Sequence, residues 1–590
     1  MKVFSLLLIA AAVLTPAAPA HTAHANPAVA ALHQLFDDEW ERYLRENPIE
    51  ASAVGDTRYN DRWPEQTLEA YARHHDEDAA VHKRLAGIDR TRLPATEQLN
   101  YDLFKRDLDD RIEGYRFRDF LMPISQQGGP QAAADEALRA VRMTRAKDYE
   151  DYIGRLEAFG RYADQTIELM TQGVKEGRVP PRVLMERVPR QIEQQIVEQP
   201  EASAFYAPFK ELPADIPADT RAWLSERAAT AVRAVVVPAY RRLLKYFKET
   251  YLPASRGSIG ASSLPDGKEY YAFRARYFTT TKLTPDQIHE LGLGEVARIR
   301  GKMDAIIQQL AFKGSFEDFV QFLRTDPQFY YKTPEELFTA YQALAKRVDP
   351  ELVHLFGKLP RLPYGVKAIP ADLAPDVTTA YYYQGSLEGG RAGTYYVNLY
   401  KPETRPRYEM EALTLHESVP GHHLQIALAQ ELPDVPKFRR FNSGAFTAFT
   451  EGWGLYSESL GDELGLYRDP YSKFGQLTYE MWRAVRLVVD TGIHAKGWSR
   501  SQAIDYFKAN AAKTELDIVN EVDRYIAWPG QALAYKIGEL KIKELRARAR
   551  EKLGDKFDVR AFHDVVLGSG AVPLDILERN VDEYVARAAK

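Results

Sequence analysis

The sequence predicts a mainly α protein built as two helical lobes with one small β element, on three observations. At 590 residues the chain exceeds the roughly 250–300 residues at which single hydrophobic cores stop growing, so it must divide into lobes or domains. Hydrophobic residues make up 45% and charged residues 27%, the balance of a packed globular chain, which excludes wholesale disorder. Apolar residues recur at helical spacing through most of the length, whereas a single segment reads as a strand. The formal charge of −5, from 78 Lys+Arg against 83 Asp+Glu, gives no basic surface for nucleic acid. There is no Cys, which removes disulfides, thiolate metal sites, cysteine nucleophiles and the residue that a lipid anchor needs. Any metal must be held by His, Asp or Glu.

Taken in order, the chain opens with Met1-Lys2, the apolar stretch Val3–Leu14 and a small-residue region ending in Ala23-His24-Ala25. This is the three-part form of a secretory signal, with cleavage expected after Ala25 or Ala20. About 12 apolar residues are too few to span a bilayer of roughly 30 Å. The mature protein is therefore expected in a periplasm or outside the cell, without a membrane partner. From Ala28 to Tyr251 the pattern is helical, with long periodic runs at Ala137–Ile167 and Asp219–Lys248. Leu252–Gly267, rich in Gly, Pro and Ser, reads as a linker or an ordered surface loop. It sets a boundary near residue 255 between an N-terminal lobe (26–255) and a C-terminal lobe (256–590). Thr284-Pro285-Asp286 opens a helix that runs to about Phe312, with an N-cap followed by proline at the first helical position. Thr394–Tyr400 (T-Y-Y-V-N-L-Y), bounded by Gly393 and Lys401-Pro402, reads as an edge strand.

The chemistry concentrates in residues 411–425, E-A-L-T-L-H-E-S-V-P-G-H-H-L-Q, where His416, Glu417, His422 and His423 fall within eight positions although the chain has only 13 His. A hydrolytic zinc site needs neutral imidazoles to hold the ion and a carboxylate beside them to take a proton from water. The usual spacing is H-E-x-x-H, which puts both imidazoles on one helical face. Here position 420 is Pro420, and in a regular helix His422 would point about 120° away from His416. A bulge at Pro420-Gly421 that absorbs two residues would restore His422 as the second ligand, with His423 as the alternative.

The string H-E-S-V-P-G-H-H, followed by Glu451-Gly452-Trp453 and Pro529-Gly530-Gln531-Ala532, resembles the bacterial family known as domain of unknown function 885. That family is grouped with zincin-type metallopeptidases and is distantly similar to angiotensin-converting enzyme and the thimet-type oligopeptidases. The resemblance covers nearly all of the mature chain and implies a zincin-like helical fold holding one zinc ion. In zincins whose third ligand is a glutamate, it comes from a helix twenty to thirty positions downstream. Glu451 lies 29 positions after His422 and takes that part, with Glu458, seven residues on, orienting an imidazole. The bland alternative for both is a solvated helix surface.

Amide hydrolysis develops an oxyanion that needs donors besides the metal. In the related helical peptidases these come from Tyr and His of later helices, which makes Tyr535 the first candidate here and His494 and Arg486 the next. A packed tyrosine and a structural Arg–Asp pair would account for the same residues. In zincins an edge strand beside the metal pairs with extended peptide, which makes Thr394–Tyr400 a candidate peptide rail with Asn398 as a substrate contact. The expected activity is hydrolysis of short or unfolded peptides, with Glu417 as general base. The competing readings are a non-peptide amide hydrolase at the same site and a catalytically silent protein whose His cluster holds a structural ion.

Overall fold

Helix dominates the computed structural model, which describes residues 26–371, 374, 378–387, 390–433, 435–441 and 446–590. The expected leader, residues 1–25, lies outside them. The first described helix, Pro27–Glu46, is capped by Asn26, whose side chain accepts from the amide of Ala28 at 3.0 Å. The run read as one helix over Ala137–Ile167 is in fact two: Ala133–Ala140, then α1 (Ala146–Lys175). Between them the amides of Thr144 and Arg145 donate to the Asp148 carboxylate at 3.0 and 2.9 Å. That cap competes with helical hydrogen bonding and ends the first segment. The second predicted run is continuous from Ala218 to Ala254, but it widens to π turns at Val232–Val236 and Phe247–Tyr251. Each π turn lies just ahead of a proline, Pro238 or Pro253, whose missing N–H and bulky ring an undistorted helix would not accept.

Leu252–Gly267 is the ordered loop of the two expected forms. Arg256 pairs with the 180–182 segment through backbone bonds of 3.1 and 2.8 Å. The amide of Ala261 donates to the His494 ring at 2.9 Å. Helix α2 (Pro285–Gln309) starts at Thr284, which caps Gln287 reciprocally, as its T-P-D opening predicts. One apolar cluster takes residues from Ile124–Ile307 and again from Tyr408–Ala532, so the two sides of residue 255 share core.

A small sheet follows, β1 (Tyr364–Ala368), β2 (Ala380–Tyr383) and β3 (Gly393–Val397). Its order is β1-β3-β2, with β3 parallel to β1 and antiparallel to β2. The strand predicted at 394–400 is therefore the central strand and not an edge. Both of its backbone edges are already paired, which leaves none for a peptide. It stops at Val397 because Asn398 turns inward: its amide donates to the carbonyls of Ala374 and Thr378 at 2.7 and 3.1 Å, and its oxygen accepts from the Tyr400 amide.

Five further helices build the site: α3 (Met410–Glu417), α4 (His422–Gln430), α5 (Thr447–Ser459), α6 (Pro470–His494) and α8 (Ala534–Leu553), with α7 (Glu515–Ala527) bracing α6. Helix α6 is buried on every side, as a helix apolar around most of its circumference must be. Helices α5 and α8 touch backbone to backbone: a methyl on Gly538 would lie 1.7 Å from the Ala448 carbonyl, and one on Gly452 would lie 2.5 Å from the Gly538 Cα. Only glycine at both positions permits that approach.

Candidate metal centre

The sequence departure at Pro420 is resolved by a chain break. Helix α3 ends at Glu417, Ser418–Gly421 form a turn, and α4 begins at His422. The expected bulge within one helix is thus replaced by two helices. The turn closes through the His423 amide, which donates to the Ser418 carbonyl at 3.0 Å, five residues back. Gly421 is obligatory, since a Cβ there would lie 1.9 Å from the His416 carbonyl. The break returns His422 to His416, with ring centroids 4.7 Å apart at 86°.

Helix α5 supplies the rest. The Trp453 indole donates to the Pro420 carbonyl at 2.8 Å and clamps the turn. Gly454 makes room for the His416 imidazole, which a Cβ would approach to 2.8 Å. Glu451 then reaches both rings, its Oε2 lying 3.6 Å from His416 Nε2 and 3.4 Å from His422 Nε2. One donor atom from each of the three lies within 4.8 Å of the others, and no other such group of three or more His, Asp or Glu occurs among the described residues. Behind His416, Nδ1 donates to Glu458 Oε1 at 2.9 Å, and Arg483 holds the same oxygen at 3.2 Å. This fixes the ring with Nε2 aimed at the cluster, as a carboxylate behind a ligating imidazole does.

The electrostatics suit a cation. Burial opposes charge on His416, but hydrogen bonds to Glu451 and Glu458 outweigh it and push the imidazole up to about 9. Burial likewise opposes charge on Glu451, yet the charge of His422 and hydrogen bonds to both imidazoles hold its carboxyl well below the usual range. The Glu451 Oε2 engages both imidazoles only at long contacts of 3.4 and 3.6 Å, and the His422 Nδ1 is buried without a hydrogen-bond partner. Two imidazoles and one carboxylate are donors that zinc accepts, and three protein ligands leave a fourth position. The pocket therefore fits a divalent ion in place of the protons that otherwise balance it. Glu417, next to His416, is pushed up chiefly by burial and then by the charge of Glu451, with the two imidazoles acting the other way.

The other candidates separate clearly. His423 turns away: Tyr382 Oη lies 3.0 Å from its Nδ1, and its Nε2 donates to the Leu362 carbonyl at 3.0 Å. His494 is fully buried, with Nδ1 accepting from the Ala261 amide and Nε2 donating to the Tyr525 carbonyl at 2.9 Å each. Burial lowers it to about 3. Both ring nitrogens are spent, so the structure places His494, like Asn398, away from any ligand. Tyr535 remains near the cluster, with Arg486 packed against it. The Arg486 guanidinium lies 4.3 Å from the Tyr535 ring, and Glu451 is the strongest charge acting on the Tyr535 hydroxyl. Residue-by-residue reading missed the parts of Trp453, Gly454 and Arg483. The one signal for Arg483 was the spacing of Glu480, Arg483, Arg486 and Asp490 along an otherwise apolar helix.

Fold and site define a class: a mainly helical protein in which a His2Glu cluster, closed by a chain break, stands beside a further glutamate. The family described as bacterial protein of unknown function (DUF885) matches residues 48–581, and the chain belongs to it. A solved structure from Colwellia psychrerythraea, named a "putative lipoprotein", is 30% identical, with a TM-score of 0.89 over 95% of this chain and 99% of its own. A "putative lipoprotein of unknown function" from Shewanella oneidensis shares the fold at 16% identity, with a TM-score of 0.70 over 93% of this chain and 99% of its own. No curated protein matches the chain. No helix among the described residues is long and apolar enough to cross a membrane.

Proposed function

We propose that this chain is an exported, zinc-dependent hydrolase of peptide bonds, of zincin type, in which His416, His422 and Glu451 hold one ion and Glu417 is the general base. The observation that carries the reading is the convergence of three donor atoms within 4.8 Å beside the Glu417 carboxyl. When bound, the ion supplies Lewis acidity toward a water and the scissile carbonyl. Glu417 takes the proton of the attacking water and returns it to the leaving nitrogen. Burial raises it above the ordinary carboxylate range, which makes it a better acceptor for that proton. Glu458 and Arg483 keep His416 in register throughout. A closed structural ion site would take a fourth protein ligand, and none joins the three among the described residues. Export is supported by the form of residues 1–25 and by the names of the two structural relatives.

Glu417→Gln is expected to lower hydrolysis of a peptide library by roughly 10²–10⁴-fold, the range of general-base contributions, while the purified protein keeps one zinc per chain. Undiminished cleavage by that variant, measured by mass spectrometry, would remove Glu417 from the mechanism. A wild-type protein that binds zinc and cuts nothing would remove the reaction.

A further inference from the structure

On helix α6, one buried guanidinium nitrogen of Arg486 has no hydrogen-bond partner among the described residues. Arg486 is 4% exposed. Its Nε donates to the Tyr525 hydroxyl and its Nη2 to Glu521 Oε2, each at 3.0 Å. Its Nη1 is buried without a partner. Arg524 draws on the same carboxylate, through contacts of 3.0 and 3.4 Å, and spends its Nη1 on Gln531 at 2.7 Å. Two guanidiniums thus share the single negative charge of Glu521. A buried positive charge left over in this way is costly unless an anion completes it.

The surplus charge lies on the same helix as Arg483 and against Tyr535. Arg483, one turn earlier on α6, contacts Glu458, which holds His416. The Arg486 guanidinium lies against the Tyr535 ring, and the Tyr535 hydroxyl is approached only by the Gln531 amide at 3.5 Å, a length at which little hydrogen bonding remains. An unpartnered guanidinium donor and a weakly engaged phenol therefore stand together, and the phenol lies within the field of Glu451.

We propose that Arg486 and Tyr535 form a subsite for the free C-terminal carboxylate of a peptide, so that the bond presented for hydrolysis lies near that end of the substrate. The proposal rests on the hydrolase reading and names its substrate class. A carboxylate offers the negative charge the arginine pair lacks, in the planar form a guanidinium matches, whereas a mid-chain carbonyl offers only a dipole. In the reaction, the hydroxyl of one water joins the acyl carbon, its remaining proton goes to the leaving nitrogen, and the C–N bond breaks. The products are a shortened peptide with a new carboxylate and a released amino acid or short peptide that carries the recognised one. The new carboxylate can occupy the same subsite, so trimming proceeds stepwise from the C-terminus.

The test compares ligands before it alters the subsite. Zinc-loaded Glu417→Gln protein is titrated calorimetrically with N-acetyl-alanyl-alanine as the free acid and as the carboxamide. The acid is expected to bind at least tenfold more tightly, and adding Arg486→Gln is expected to erase the difference, with Arg486→Lys restoring part of it. Equal binding of acid and amide, or a preference that survives Arg486→Gln, overturns the subsite. The acid–amide comparison needs no change at Arg486, so it decides the matter even where Arg486→Gln does not fold. Cleavage by the wild-type protein is scored separately. No cut in any peptide removes the hydrolase reading and leaves the measured acid–amide preference standing. Internal cuts at equal rates in acid and amide peptides retain the hydrolase and remove the subsite.

Discussion

A single missing side chain sets how closely the helix carrying Glu451 can lie on His416. Any Cβ at position 454 would lie 2.8–3.1 Å from three atoms of that imidazole, closer than packed carbon and nitrogen tolerate. Gly454→Ala must therefore push α5 or the ring aside, at about 1–3 kcal/mol of stability. The same shift separates Glu451 from the two imidazoles, so zinc affinity is expected to fall at least tenfold, measured by competition with a chromophoric chelator. An unchanged affinity would show that the three donors find each other without the packing against α5. The candidate histidines were legible from residue types and spacing, and Glu451 from the resemblance to zincins. Gly454 and Trp453 were not, because their parts depend on what lies across the helix pair.

At the scale of the element, α6 is a structural axis threaded with ionisable groups. His494 ties the 252–267 loop to α7 through Ala261 and Tyr525. His494→Ala leaves an amide and a carbonyl buried and unpaired, at about 1–3 kcal/mol each. Thermal unfolding is expected at a clearly lower temperature while zinc affinity stays within twofold, whereas a metal-ligating histidine would show the reverse. Asp490, two turns beyond Arg483, accepts from the Tyr271 hydroxyl at 2.6 Å and from the Gly530 amide at 3.1 Å. Burial nevertheless pushes it up to about 7. Because the unfolded carboxyl ionises near 4 and the folded one near 7, the unfolded state loses its proton first as pH rises. Stability contributed at low pH therefore declines between about pH 4 and 7, by up to about 4 kcal/mol at 1.36 kcal/mol per pH unit, and is level above that. Asp490→Asn should flatten this part of the profile, as followed by denaturant midpoints from pH 4.5 to 8. A slope that survives the substitution assigns it to other groups.

Across the whole molecule, the proposed metal binding would be coupled to folding, because His416, His422 and Glu451 come from three helices that meet only in the native state. Zinc at a thousandfold excess over its dissociation constant is expected to stabilise the protein by about 4 kcal/mol. Glu451→Ala should lose most of that gain, and Glu417→Gln should keep it. Equal thermal shifts in the two variants would place the ion elsewhere. The core shared across residue 255 supplies the rigid frame on which these helices are held.

Composition and periodicity sufficed for the mainly helical class, because helical amphipathicity is a local property written every three to four residues. The candidate histidines followed from the sequence too, since a chain with no cysteine and few histidines gathers four ligand-type residues at 416–423, whereas Glu451 followed from the resemblance to zincins. Which histidine meets His416 was decided by the turn at Ser418–Gly421, which swings His422 to His416 and sends His423 toward Leu362. Asn398 and His494 carry the same polar groups as ligand-binding residues, yet each spends them inside the protein on backbone, Asn398 on Ala374, Thr378 and Tyr400 and His494 on Ala261 and Tyr525. An edge strand and a central strand likewise have the same local pattern, and only the pairing of β1 and β2 with β3 distinguishes them. The sequence by itself determined the helices and the chemistry on offer, since both depend on neighbours along the chain. Tertiary structure alone decided which groups are already satisfied, and so which remain free to bind, because a hydrogen-bond partner or an excluded methyl is a matter of distance in space.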